Sequence, residues 1–128
     1  MNLSQSTPEV ARTLVLGAST NSNRYSYLAI KRLLEHGHQV VGVGREEAEV
    51  LGVHITSKLE PLEGIDTVTI YVNPINQHLF ADYIISLKPR RVIFNPGSEN
   101  PALYARLLAA DIDVEVACTL VLLGTQQY

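Results

Sequence analysis

The chain has 128 residues, of which 46% are hydrophobic, with a net charge of −3. That length fits one domain with a real core, and that composition excludes a disordered chain. No apolar run reaches the length of a membrane span, dispersed Lys and Arg argue against a nucleic-acid surface, and the one cysteine, Cys118, excludes an intrachain disulfide and a cysteine-based zinc site.

The polar start, Met1 to Glu9, is unlike a signal peptide, so a cytoplasmic setting is the expectation. Residues 1–12 read as a lead-in, with Thr7 capping a helical turn that has Pro8 at its first position. Thr13 to Gly17 is a β-rich run without alternation, the pattern of a central strand covered on both faces. A small, polar loop follows from Ala18 to Asn23. A helix over residues 24–36 then carries Tyr27, Ile30, Leu33 and Leu34 on one face, and Gly37 stops it. Val40 to Val43 is the next strand, ending at Gly44-Arg45. Residues 48–64 are irregular, with Val50, Val53 and Ile55 apolar enough to dock on the sheet edge.

Thr67 to Val72 is a third strand, ending at Asn73-Pro74. Residues 76–87 read as a helix with Leu79, Phe80, Tyr83, Ile84 and Leu87 inward, stopped by Pro89. Arg91 to Phe94 is a fourth strand, ending at Asn95-Pro96-Gly97. Asn100-Pro101 caps a further helix with Leu103, Leu107 and Leu108 buried. Asp113 to Val116 is the fifth strand, and residues 117–124 read as a short closing helix. The stretch Leu120 to Leu123 fits either core or a homodimer contact. Alternating strands and helices predict a three-layer α/β/α domain around a five-stranded parallel sheet of order 3-2-1-4-5. Its ligand crevice belongs at the carboxyl ends of the strands.

Four strand ends then share one rim: Gly17 to Arg24, Gly44-Arg45, Asn73-Pro74 and Asn95-Pro96-Gly97. At the first of them, strand, tight loop and helix start leave free backbone N–H groups and the positive end of the helix dipole, which suits a phosphate. Gly17 allows the sharp turn, Ala18 and Ser19 allow close approach, Ser19, Thr20, Asn21 and Asn23 offer hydroxyl and amide hydrogen bonds, and Arg24 offers a fixed charge. The loop lacks the second and third glycines of the dinucleotide fingerprint. Where the second strand ends, an NAD site wants an acidic residue, and Gly44-Arg45 stands there instead. Arginine suits a ribose phosphate, so coenzyme A with its 3′-phosphate and NADP with its 2′-phosphate both remain open.

The combination of Gly17-Ala18-Ser19 with Asn21, Arg24 and Ser26, the helix end Leu33 to His38, Asn73-Pro74 and the late Cys118 resembles the small stand-alone CoA-binding domain proteins. These are similar to the CoA-binding domain of the succinyl-CoA ligase alpha subunit. The resemblance covers the chain from about Thr13 to its end. It implies a Rossmann-like domain with coenzyme A or acyl-CoA phosphates over the first loop, at Ser19, Thr20 and Asn21. Arg24 and Tyr25 would close the loop, Arg45 would lie near the ribose phosphate, and Asn73, Pro74, Asn95, Pro96 and Gly97 would flank the adenosine or pantetheine path. Many relatives have Asn-Pro where this chain has Gly44-Arg45. The ligase's phosphorylated histidine is missing, so ligase activity is not implied.

No catalytic set is expected. His36 and His38 straddle a helix end, His54 and His78 read as surface or capping residues, and no pair has metal-ligand spacing. Cys118 reads as buried and inert, the other possibility being a mixed disulfide with the coenzyme thiol. Tyr25, Tyr27 and Tyr71 fill core or stack on adenine. Ser19 lacks the nucleophile-elbow context. The expected function is therefore non-catalytic binding of coenzyme A or an acyl-CoA, with no nucleic-acid or membrane partner. The alternatives are an NADP-binding oxidoreductase or redox sensor, and an interaction protein with a vestigial crevice.

Overall fold

A computed structural model describes residues 11–128. The expected turn at Thr7-Pro8 lies outside them. The elements run β1 (Arg12–Ala18), α1 (Tyr25–Glu35), β2 (Gln39–Gly44), β3 (Ala48–Val50), β4 (Val53–Thr56), β5 (Ile65–Ile70), a 3₁₀ segment (Pro74–Leu79), α2 (Ala81–Leu87), β6 (Arg91–Phe94), α3 (Pro101–Ala109), β7 (Asp113–Val116) and α4 (Thr119–Gly124). One seven-stranded sheet has the order β3-β4-β2-β1-β5-β6-β7. All neighbours are parallel except the β3–β4 hairpin.

This corrects the expected five-stranded, all-parallel sheet of order 3-2-1-4-5. The segment read as irregular contains a hairpin, and its second arm, β4, takes the place beside β2. The expected order puts the strand from Thr67 to Val72 in that place. It pairs with β1 instead, Leu14 opposite Val68 and Leu16 opposite Ile70. Chain order therefore reverses between β1 and β5, and a crevice at that reversal opens over the loop after β1.

Both faces of the sheet are covered. Leu14, Leu16, Val68, Ile70, Val92 and Phe94 pack with Ile84 of α2 and with Leu103 and Leu107 of α3. Val15, Ala18 and Ile55 pack on the other face with Ile30 and Leu33 of α1 and Leu123 of α4. Strict alternation would put Ala18 on the face of Leu14 and Leu16. A bulge at Gly17, where the register with β2 shifts between Leu16 and Ala18, moves it to the opposite face.

Local departures have local causes. The helix expected over residues 76–87 is two pieces, because Asn73 Oδ1 accepts from Asn76 N–H at 3.2 Å and starts a 3₁₀ turn that ends at Phe80. Leu79, expected inward, is 60% exposed, while Gln77 is buried in its stead. Lys88, in a left-handed conformation at φ 51°, ends α2 one residue before Pro89. Leu108, expected buried, is exposed. The closing helix is present as α4, with Leu123 in the core and Val121 on the surface. Among the described residues, no helix is long and apolar enough to cross a membrane.

Candidate functional site

The loop after β1 is shaped by its own short side chains. Ser19 Oγ accepts from Asn21 N–H at 3.0 Å, Asn21 Oδ1 accepts from Asn23 N–H at 2.9 Å, and Arg24 N–H donates to Asn21 O at 3.0 Å. Those bonds use three amides and leave others. The N–H groups of Ser19, Thr20 and Ser22, and those of Tyr25, Ser26 and Tyr27 in the first turn of α1, have no partner among the described residues. Helix α1 begins at Arg24 without a side-chain cap, and its first turn has no acidic residue. Its partial positive charge is therefore uncompensated by the protein.

Above this loop lies a cleft of about 990 Å³, a size that suits a cofactor-like molecule. Two glycines make room for it. Gly17 has φ +92°, and a Cβ there would stand 3.0 Å from the Tyr71 carbonyl carbon. Both the conformation and the contact demand glycine, so β1 can turn against the end of β5. A Cβ at Gly44 would meet the Ala18 carbonyl oxygen at 2.4 Å. Gly44 thus serves the close approach of β2 to the bulge.

On the β2 side the wall is made by Arg45, Glu46, Ser57 and Leu59. Glu47 braces it. Its carboxylate accepts from Ser57 N–H at 2.6 Å, Ser57 Oγ at 3.0 Å and Thr56 Oγ1 at 2.9 Å, tying the loop after β2 to the end of β4. The Ser57 backbone bond and the two hydroxyl bonds hold that carboxyl below its ordinary range. On the β5 side the wall is Val72, Asn73, Asn76, Leu79, Phe80, Pro96, Gly97 and Ser98. Gln77 braces this one. It is 1% exposed, and its Nε2 donates to Val72 O at 2.9 Å and Ser98 O at 2.6 Å while its Oε1 accepts from Asn100 at 3.0 Å.

Of the residues expected at the site, Gly17, Ala18, Ser19, Thr20, Arg24, Tyr25, Ser26, Gly44, Arg45, Asn73, Pro96 and Gly97 line the cleft. Asn21, Pro74 and Asn95 do not. Asn21 spends its side chain inside the loop. Pro74 lines a separate pocket of about 200 Å³ with His78 and Arg106. Asn95 is buried, with Nδ2 donating to Thr69 Oγ1 at 2.7 Å and Ile70 O at 3.0 Å, and Oδ1 accepting from Thr119 N–H at 2.9 Å. It joins β5, β6 and α4. Ser57, Asn76 and Gln77 were missed. Ser57 was hidden because β4 was not recognised, and Gln77 because the 3₁₀ turn was read as α-helix.

His36, His38, His54, His78 and Cys118 lie outside the lining of the cleft. Tyr71 does line it, and burial pushes its phenol up to about 12. Its hydroxyl is buried without a hydrogen-bond partner among the described residues. The nearby Thr69 and Thr119 hydroxyls are bonded to each other at 2.8 Å. Among the described residues there is no group of three His, Cys, Asp or Glu placed to hold a metal ion.

The family described as CoA binding domain matches residues 11–124. The chain is similar to a crystal structure of an uncharacterized protein, at 49% identity and TM-score 0.90, covering 93% of this chain and 98% of that one. It shares its fold with a hypothetical protein from Pyrococcus horikoshii OT3, at 24% identity and TM-score 0.81, covering 92% and 84%. A Thermus thermophilus structure matches at 23% identity and TM-score 0.80, covering 92% and 91%. None of the curated proteins matches the chain.

Proposed function

Because this chain belongs to the CoA binding domain family, we propose that it holds coenzyme A or an acyl-CoA in the cleft over the β1–α1 loop, without transforming it. One observation carries the reading: Ser19, Thr20, Tyr25 and Ser26, whose amides have no partner among the described residues, line the cleft together with Arg24 and Arg45. Amides of this kind suit the diphosphate, since each replaces a water contact with a charge-assisted hydrogen bond. The two guanidinium groups suit the remaining phosphate. The bracing of both walls, by Glu47 and Gln77, supports a preformed cleft.

Among the described lining residues, Ser57 Oγ donates to the Glu47 carboxylate at 3.0 Å, but three hydrogen bonds hold that carboxyl below its ordinary range and make it a weak base. Ser19 accepts from Asn21 N–H, and no histidine stands among the described residues of the lining. That is the support for binding without chemistry.

Thermal unfolding with coenzyme A, acetyl-CoA, NADP, NAD and ATP tests the reading. A ligand bound only by the folded chain stabilises it by about 2.7 kcal/mol at a hundredfold excess over Kd. The expected result is a rise in Tm with coenzyme A and acetyl-CoA and a smaller rise or none with the others. A rise with NADP alone would replace this reading with a dinucleotide one, and no rise with any of the five would leave the cleft without its ligand.

A further inference from the structure

The two halves of the cleft differ in charge. Among the described residues, every charged one in the lining lies toward the first loop and the end of β2: Arg24, Arg45 and Glu46. The opposite half, formed by Val72, Asn73, Asn76, Leu79, Phe80 and Ser98 with the turn at Pro96, contains no charged residue among those described. Two basic side chains on the adjoining 3₁₀ segment and α3 face elsewhere. His78 and Arg106 line the separate smaller pocket, His78 Nδ1 is 2.9 Å from Ile75 O, and Arg106 donates to Asp82 at 2.7 Å.

Coenzyme A is equally lopsided. Its diphosphate and its 3′-phosphate belong to the nucleotide end, while the pantetheine arm and the thioester are neutral. Charge complementarity therefore sets the direction: the nucleotide on the loop and the arginines, the acyl end against the neutral wall. That wall also offers apolar surface. Leu79 is 60% exposed although it lines the cleft, and Phe80 and Val72 stand beside it. Asn73 and Asn76 supply neutral polar groups that suit the amides of the arm.

We infer that the cleft, read as a coenzyme A site, selects thioesters whose acyl group is uncharged and rejects those that end in a carboxylate. A carboxylate on the neutral wall gives up water and meets no cation in return. Selection of this kind works by the penalty on the wrong ligand.

Titration calorimetry with coenzyme A, isovaleryl-CoA and malonyl-CoA tests this, since the two acyl groups have similar shape and differ in charge. The expected result is isovaleryl-CoA binding at least as tightly as coenzyme A, and malonyl-CoA binding about tenfold or more weakly than isovaleryl-CoA. Equal or tighter binding of malonyl-CoA, with coenzyme A itself bound, overturns the selectivity and leaves the coenzyme reading standing. Failure of coenzyme A to bind overturns both. Leu79→Arg, at an exposed position that leaves the core untouched, should move the ratio toward malonyl-CoA. An unchanged ratio in that variant would show that the acyl end does not reach this wall, and would overturn the inference.

Discussion

The loop after β1 and the loop after β6 begin from similar material and end in opposite states. Both follow buried parallel strands, both are rich in small polar residues, and both face the same rim. After β6, the polar groups are consumed by the protein. Asn95 makes three hydrogen bonds, Ser98 N–H and Oγ both donate to Asn95 O at 2.9 and 2.7 Å, and Gly97 N–H donates to Glu99 at 2.8 Å. After β1, three amides close the loop and six have no partner among the described residues. Residue type does not distinguish a structural corner from a binding loop. What distinguishes them is whether the donors are already engaged.

The largest expected effect breaks the corner. Asn95→Ala removes three buried hydrogen bonds and strands the Thr119 N–H, at a cost of about 3 kcal/mol by the usual scale for buried polar losses. Chemical denaturation should show the midpoint fall. If the variant keeps its stability and loses coenzyme A affinity instead, Asn95 belongs to the ligand and the contrast fails.

Arg24→Ala sharpens the other side. Arg24 is exposed, and the structure gives its side chain no protein hydrogen bond among the described residues. Stability should hold within about 0.5 kcal/mol. Affinity for coenzyme A should fall about tenfold, the loss expected for one charge-assisted contact. Unchanged affinity by calorimetry would take Arg24 out of the site.

Tyr71→Phe gives the smallest effect, and its sign is the useful part. The hydroxyl is buried without a hydrogen-bond partner among the described residues, so removing it costs no bond there and relieves a desolvated group. Tm should stay level or rise slightly. A clear fall would reveal a partner for that hydroxyl, and the polar cluster of Thr69, Thr119 and Asn95 would then extend to the cleft floor.

Much of this architecture was legible in the residues. Leu14 to Leu16 and Val92 to Phe94 read as central strands because both their faces are buried and the apolar run is unbroken. The loop from Gly17 to Arg24 read as a phosphate cradle because glycine and short polar residues stood between a strand and a helix. The sheet order was misread for one reason. Val53–Thr56 carries the exposed His54, lies between β2 and the short edge strand β3 and follows a tight Leu51-Gly52 turn, so it lacks the apolar continuity of the inner strands. Once it was passed over, Thr67 to Val72 took its place. The Asn73-Pro74 and Asn95-Pro96 pairs show the deeper limit. Asn73 caps a 3₁₀ turn and lines the cleft, whereas Asn95 is locked in place by Thr69, Ile70 and Thr119, all distant in the chain.

The central claim is that vacant amides at the start of α1 hold a phosphate, and amide NMR tests it most directly. Titrating the ¹⁵N-labelled protein with coenzyme A should move the N–H signals of Ser19, Thr20, Tyr25 and Ser26 downfield, as hydrogen bonds to an anion do, while pantetheine, which has no phosphate, should leave them in place. Binding of coenzyme A that leaves those four signals unmoved would contradict a phosphate held by these amides.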